Sequence, residues 1–279
     1  ERISPEAPVP VVHVQKEYAT LGGCGNTARN ITSLGANAMC LASVGKDNYA
    51  DIIVEQLNEN NIKSSIFLSS EETTVKERIV ASERKIQMIR IDRETRKKIN
   101  YEHAINSLKI RMKHYDIEKF DFIVISDYNK GMITPQLMKS LKEFKTKIIV
   151  DPKPRNVHYY NGVYMITPNL KEWELIKDNS RFILNSPNYV LVTKGSDGMD
   201  VIKSDSNTIN HILGNPVEIY NVSGAGDTVV AVMAVCMSMG LDPYEAAQIA
   251  NECAAYVVTK PGTSVVSENK FIEIYQSVR

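Results

Sequence analysis

The chain has 279 residues, 43% apolar and 24% charged, with 33 basic and 33 acidic side chains and hence a formal net charge of zero. That balance argues against nucleic acid as a partner, because such a binder displaces counterions from phosphates with a basic excess. No run approaches the roughly 20 apolar residues of a membrane span, so small molecules or protein are the expected partners.

Pro5, Pro8 and Pro10 make residues 3–14 extended, and since proline removes a ladder donor this segment is expected as an edge or lid strand. Residues 21–31 hold Gly22, Gly23 and Gly25 and run into a helical pattern that ends at Gly35. Residues 38–44 then read as a strand, 49–58 as a helix and 62–68 as another strand. Residues 74–81 and 85–92 alternate apolar with polar at period 2, with a turn at Ser82-Glu83-Arg84. They predict a small antiparallel sheet with one covered face and one wet face. The basic clusters at 93–98 and 109–114 are short and read as solvated faces. Further on, 122–125, 147–150, 164–166 and 189–192 are continuously apolar, and polar loops and helical patterns separate them. That alternation predicts a parallel sheet covered on both faces. Residues 229–239 read as a buried helix. The opening Glu1-Arg-Ile-Ser-Pro5 has no signal-peptide core, and Cys24, Cys40, Cys236 and Cys253 form no Cys-x-x-Cys pair. A cytoplasmic protein with buried thiols is expected.

Ligands of parallel sheets bind outside the carboxyl ends of the strands. Polar tetrads fall there: Ser126-Asp-Tyr-Asn129, Asp151-Pro-Lys153, Thr167-Pro-Asn-Leu170 and Thr193-Lys-Gly195. The strongest signal is Asn221-Val-Ser-Gly-Ala-Gly-Asp-Thr228, directly before the apolar helix. Gly224 and Gly226 let backbone amides approach a ligand, and the helix start adds partial positive charge, which makes an anion hole. Asp227 at its rim could take a proton from an attacking hydroxyl, the pairing that phosphoryl transfer to an alcohol requires. On local grounds alone, a helix start with an acidic first turn is an equally good description.

Gly23-Cys-Gly25-Asn-Thr-Ala28 satisfies the dinucleotide fingerprint, with Asp47 near the expected acidic position. The fingerprint must follow a buried strand, and residues 15–20 are polar instead. No Walker A loop is present, and the five histidines have no metal-binding spacing. A metal is therefore expected to be Mg²⁺, held through water and nucleotide phosphates near Asn169 and Glu172.

Taken in order, these motifs resemble the ribokinase-like (PfkB) carbohydrate kinases along nearly the whole chain. The carriers are Gly22-Gly23 with Asn26, and Gly224-Ala225-Gly226-Asp227 before an apolar helix. Within that family the wording is similar to that of D-glycero-β-D-manno-heptose-7-phosphate kinases. It appears in Arg2-Ile-Ser-Pro-Glu-Ala-Pro-Val-Pro-Val11, Gln87-Met-Ile-Arg-Ile-Asp92, Ser126-Asp-Tyr-Asn-Lys-Gly131, Asp151-Pro-Lys153, Thr167-Pro-Asn-Leu-Lys-Glu172 and Gly262-Thr-Ser264.

The resemblance implies one domain over 1–279. Its fold would be an α/β/α sandwich with a mostly parallel central sheet and a small β-sheet lid, built from 3–14 and 74–92 and forming a homodimer. It implies ATP with Mg²⁺ as donor, and a sugar phosphate, heptose 7-phosphate, as acceptor at its anomeric C1 hydroxyl, on the route to ADP-heptose for lipopolysaccharide core. Asp227 would be the base, and the backbone of Gly224, Ala225 and Gly226 would stabilise the moving group. Asn169, Leu170, Lys171, Glu172 and Lys153 would organise Mg·ATP, while Thr193, Gly195, Asn251 and Gly262 would line the nucleotide pocket. Gly22, Gly23, Asn26 and Asp127 would face the sugar, and Arg90 and Lys130 its 7-phosphate.

Three departures from the family pattern stand out. The family's opening strand, with its Gly-Asp pair, would precede Glu1, so a longer natural chain is expected; 174–189 is also short. Asn221 and Ser223 stand where the family commonly has Asp and Thr, which leaves monovalent-cation activation open. No adenylyltransferase motif of HxGH type follows, so the kinase step alone is expected of this chain. The alternatives are a kinase for another sugar or nucleoside, a non-catalytic nucleotide-binding module, and a dinucleotide-dependent oxidoreductase.

Overall fold

The structure is a computed structural model that describes residues 2–69, 71–81, 86–94, 110–111, 114–179 and 187–279. At the start, β1 (Arg2–Ile3) and β2 (Pro10–Val11) pair antiparallel with each other. Next, β3 (Met39–Val44) and β4 (Lys63–Leu68) pair in parallel around the helix Asn48–Glu59. A separate antiparallel ribbon follows, β5 (Val75–Ala81) with β6 (Ile86–Arg93), its register shifted between Ile79 and Val80. The turn expected at 82–84 lies outside the described residues, as do most of the two basic clusters and the segment 180–186.

One expectation for the lid needs correction. Residues 3–14 do not join the 75–93 ribbon, because the three prolines leave only a two-residue ladder. Among the described residues the ribbon is left partly exposed. Met88 and Ile89 are more than half exposed.

The main sheet has six strands, which neighbour one another in the reverse of their order along the chain. Four are parallel, as expected: β7 (Phe122–Ser126), β8 (Lys147–Asp151), β9 (Met165–Ile166) and β10 (Tyr189–Thr193). An antiparallel tail, β11 (Met199–Lys203) and β12 (Thr208–Ile212), completes it. Continuous apolar strands are explained by two covered faces. Ile149 of β8 and Leu191 of β10 enter one core, while their neighbours Ile148, Val150, Val190 and Val192 enter the other.

The first core is built on the helix Ala225–Ser238, buried from Asp227 through Met237. It lies against the sheet and beneath the helix Pro243–Val258, so an all-round apolar sequence is what its position demands. The helix Cys24–Ser33 crosses its N-terminal end and presents Asn26, Thr27 and Asn30, all buried polar residues. The four cysteines are free; Cys40, Cys236 and Cys253 are buried and Cys24 half-buried. Among the described residues no helix is long and apolar enough to cross a membrane.

Candidate active site

Because β7 to β10 run parallel, the residues after their last rungs gather at one rim. Tyr128, Asp151, Lys153, Thr167, Asn169, Glu172 and Thr193 line a cavity of about 190 Å³, and Gly224, Gly226, Asp227, Val229 and Val230 complete its wall. The helix of Asp227 starts from Gly224, whose φ of 86° is left-handed, with no side-chain cap. Its first-turn amides are therefore available at the cavity wall. Ala225 is an exception to the expected set: its N–H is bound by the Val222 carbonyl at 3.3 Å.

Asp227 is only 9% exposed, yet it faces the cavity. Asn26 Nδ2 donates to its Oδ2 at 2.7 Å, while the Tyr128 and Thr27 hydroxyls donate to Oδ1 at 3.2 and 3.4 Å. Below them, the Thr228 hydroxyl donates to Asn30 Oδ1 at 2.9 Å and joins the two helices by a polar seam. Burial pushes the Asp227 carboxyl upward, and the three hydrogen bonds with the Arg29 charge oppose this without cancelling it. A carboxylate held above its usual range and aimed by donors is suited to accept a proton near neutral pH. Burial and the neighbouring Asp227 charge push the Tyr128 phenol upward as well, so it stays a neutral donor.

Across the cavity, Asn169 and Glu172 form a reciprocal capping box on the helix Leu170–Lys177, with bonds of 3.0 and 3.1 Å. The second Glu172 oxygen accepts from Lys153 Nζ at 2.5 Å. Burial alone would depress the Lys153 ammonium, but the Glu172 bond and the charges of Glu172, Asp151 and Asp127 together outweigh it. Asp151 lies between these groups, and burial pushes its carboxyl up to about 7, with Lys153 opposing and Asp227 and Glu172 adding to the rise. An unfolded aspartate titrates near 3.9. The folded state thus gains from Asp151 below that value and loses the gain as pH rises through 7. Without nucleotide, Asp151→Asn should raise Tm, and the rise at pH 8 should exceed that at pH 5 by about 4 °C, on the order of 1–2 kcal/mol after discounting for solvent. Equal increments at the two pH values in thermal melts would contradict this.

Of the expected residues, the structure brings Lys153, Asn169, Glu172, Thr193, Gly224, Gly226 and Asp227 to the cavity wall, with Asn26 behind Asp227, but not the others. Asp127 does not face the cavity: it is 1% exposed, and its Oδ2 accepts from Asn156 at 2.7 Å and from the Tyr160 hydroxyl. Its Oδ1 accepts the Asn129 N–H at 2.6 Å, an Asx turn that presents Tyr128 instead. Leu170 and Lys171 are exposed on the helix and outside the cavity lining. Gly195, at φ 62°, faces open space beyond Thr193. Asn251 is 6% exposed and donates to the Leu213 carbonyl at 3.0 Å, while the Gly262 carbonyl accepts from Asn221 at 3.2 Å. Both shape loops rather than line the cavity. Gly22 has open space around it; Gly23, at φ 53°, lies against the Tyr128 ring.

Arg90 pairs with Asp92 at 2.9 Å on the exposed ribbon, and Lys130 pairs with Glu94. Tyr128 and Asp151 were not singled out from the sequence, although both belong to strand-end tetrads. The dinucleotide alternative loses its support: no strand leads into Gly23, and Asp47 instead binds Thr73 N at 2.8 Å and caps the helix at Asn48.

The family model for the pfkB family of carbohydrate kinases matches residues 1–270. The bifunctional protein HldE of Paramagnetospirillum magneticum is 34% identical over 291 residues, covering 98% of this chain and 59% of that protein. HldE of Caulobacter vibrioides is 35% identical over 287 residues, covering 96% and 58%. The chain thus spans about three fifths of the length of these curated relatives. Among solved structures, phosphofructokinase-2 from Escherichia coli in complex with potassium superposes with a TM-score of 0.79 at 18% identity, over 96% of this chain and 93% of that one. Ribokinase from Thermotoga maritima gives 0.68 at 19% identity, over 90% and 86%. These two share the fold.

Proposed function

The chain belongs to the pfkB family of carbohydrate kinases, and from that premise we propose that it transfers the γ-phosphoryl group of ATP to the anomeric C1 hydroxyl of D-glycero-D-manno-heptose 7-phosphate. The observation that carries this reading is Asp227: a buried carboxylate aimed by Asn26, beside an uncapped helix start and across one cavity from Lys153 and Glu172. The choice of sugar is supported by the heptose-kinase wording and by the relatives at 34–35% identity.

In this mechanism Asp227 removes the C1 hydroxyl proton as the oxygen attacks, and the backbone at Gly224 and Gly226 meets the charge on the transferring group. Lys153 neutralises phosphate charge, with Glu172 and Asn169 holding it in place. Thr193 and Gly195 border the nucleotide, and the loops pinned by Asn251 and Gly262 close around it. Gly22, Gly23 and Asn26 meet the sugar, with Tyr128 beside them. For the 7-phosphate, Arg90 and Lys130 would exchange Asp92 and Glu94, a cheap exchange for exposed pairs.

Among the described residues no cluster of three or more His, Cys, Asp or Glu could hold a metal. Mg²⁺ would rest on ATP phosphates and water near Asn169 and Glu172, with Asp151 on the same cavity wall. When bound, it would screen the charge of the β- and γ-phosphates. The partly exposed ribbon around Met88 and Ile89 suits a homodimer through the lid. The substrate chemistry suits the cytoplasm.

The test is a sugar panel with coupled ADP release and phosphorus NMR of the product. Heptose 7-phosphate should give the highest kcat/KM and a C1 phosphate. Faster turnover of ribose, fructose 6-phosphate or adenosine would reassign the substrate, and nucleotide binding without sugar-dependent ADP would point to a non-catalytic module.

A further inference from the structure

Arg29 belongs to no motif considered above, yet it stands behind the proposed base. The helix Cys24–Ser33 places it one turn after Asn26, half-buried. Its Nη2 donates to Asn26 Oδ1 at 3.0 Å and also to the Thr263 carbonyl. Its Nε is buried with no partner among the described residues, so the contacts that hold the side chain are those of Nη2.

Both contacts lead to the reacting centre. With its oxygen taken by Arg29, the Asn26 amide can offer only its N–H group to Asp227 Oδ2, at 2.7 Å. The Thr263 side chain lies beside Gly224: a Cβ built there would sit 2.6 Å from Thr263 Cγ2 and 3.0 Å from Asn26 Nδ2. The geometry points to Arg29 as a positioning residue for phosphoryl transfer, fixing at once the amide that aims Asp227 and the loop that walls the anion hole. It does not touch the sugar or the phosphate.

The charge acts in the same direction. Arg29 opposes the upward push on Asp227, whereas Asp151, Tyr128 and Cys24 each bear on the site as anions when ionised, and Lys153 is paired with Glu172. Removing the guanidinium should move the acid limb of the kcat profile, below which Asp227 is protonated, to higher pH.

This inference rests on Asp227 being the base, so Asp227→Asn is measured alongside. If that variant keeps wild-type turnover, the base assignment fails, whatever Arg29 does. With Asp227→Asn inactive, Arg29→Gln should lose kcat about tenfold to a hundredfold, keep KM for ATP within about twofold, and shift the acid limb upward. Arg29→Lys, which keeps the charge, should return the limb to its wild-type position. Wild-type kcat in Arg29→Gln, or a loss with an unshifted limb, would overturn the proposal and leave Arg29 a structural residue. Should thermal melts show Arg29→Gln unfolded, Arg29→Lys decides: wild-type kcat overturns the proposal, and at least a tenfold loss with nucleotide binding intact upholds it.

Discussion

Asp227→Asn should lower kcat by about a thousandfold, within the range of 10²–10⁴ for loss of a general base, while nucleotide affinity changes by less than about threefold. The substitution is nearly isosteric, so the fold should tolerate it. Its amide oxygen can still accept from Asn26 at the present 2.7 Å. Its new NH₂ group faces the Tyr128 and Thr27 hydroxyls, which now donate at 3.2 and 3.4 Å and can rotate to accept. Removing a buried carboxylate whose pKa burial has raised should even increase Tm slightly at neutral pH. Stability and catalysis are then expected to move in opposite directions. Calorimetry with ATP, a thermal melt and an ADP-release assay separate the three quantities. Turnover near wild type would remove Asp227 from the mechanism.

Gly224→Ala should damage both stability and rate. An L-residue in the left-handed conformation that Gly224 holds, φ 86°, costs about 1–2 kcal/mol. The added methyl would also meet Thr263 Cγ2 at 2.6 Å and Asn26 Nδ2 at 3.0 Å. Tm should fall by about 3–8 °C. Displacing Asn26 releases the aim of Asp227, and shifting the helix start moves the amides, so kcat should fall about a hundredfold. Two companion variants apportion the loss. Thr263→Ser in the Gly224→Ala background removes Cγ2 and should recover the steric part, leaving the backbone part. Gly226→Ala has no heavy atom within 4 Å of its new Cβ and no positive φ, so it should keep Tm while reducing kcat, since that methyl would stand in the cavity. A Gly224→Ala variant with wild-type kcat would show that the helix start has no part in the chemistry.

What could be read along the chain was what neighbouring residues decide among themselves. The apolar runs of β7, β8 and β10 foretold strands buried on two sides, and Ile148, Ile149 and Val150 do divide between two cores. Gly224 to Asp227 announced a helix start with exposed amides because a glycine's φ, a cap and an apolar continuation are local properties. The capping box that Asn169 and Glu172 form is also local, but it was found only in the structure, which in addition joins Glu172 to Lys153 across the cavity wall.

Other features depended on partners far away in sequence or on the direction of a single turn. Asp127 and Tyr128 are adjacent and equally polar in a strand-end tetrad. Which one meets the cavity was decided by Asn156 and Tyr160, which draw Asp127 inward from 29 and 33 residues along the chain. The antiparallel tail β11–β12 and the partly exposed ribbon β5–β6 depend on which edges find partners, and period-2 alternation does not encode that. Asn26 and Asp227 are separated by 201 residues, and Arg29 reaches the same point only because two helices cross there. Hydrophobic pattern and backbone propensity act over a few residues, so the sequence by itself determined the elements, the parallel core and the helix start at Gly224. The orientation of the Asp227 carboxylate and the charge around it come from long-range burial and hydrogen bonding, and only the tertiary structure decided them.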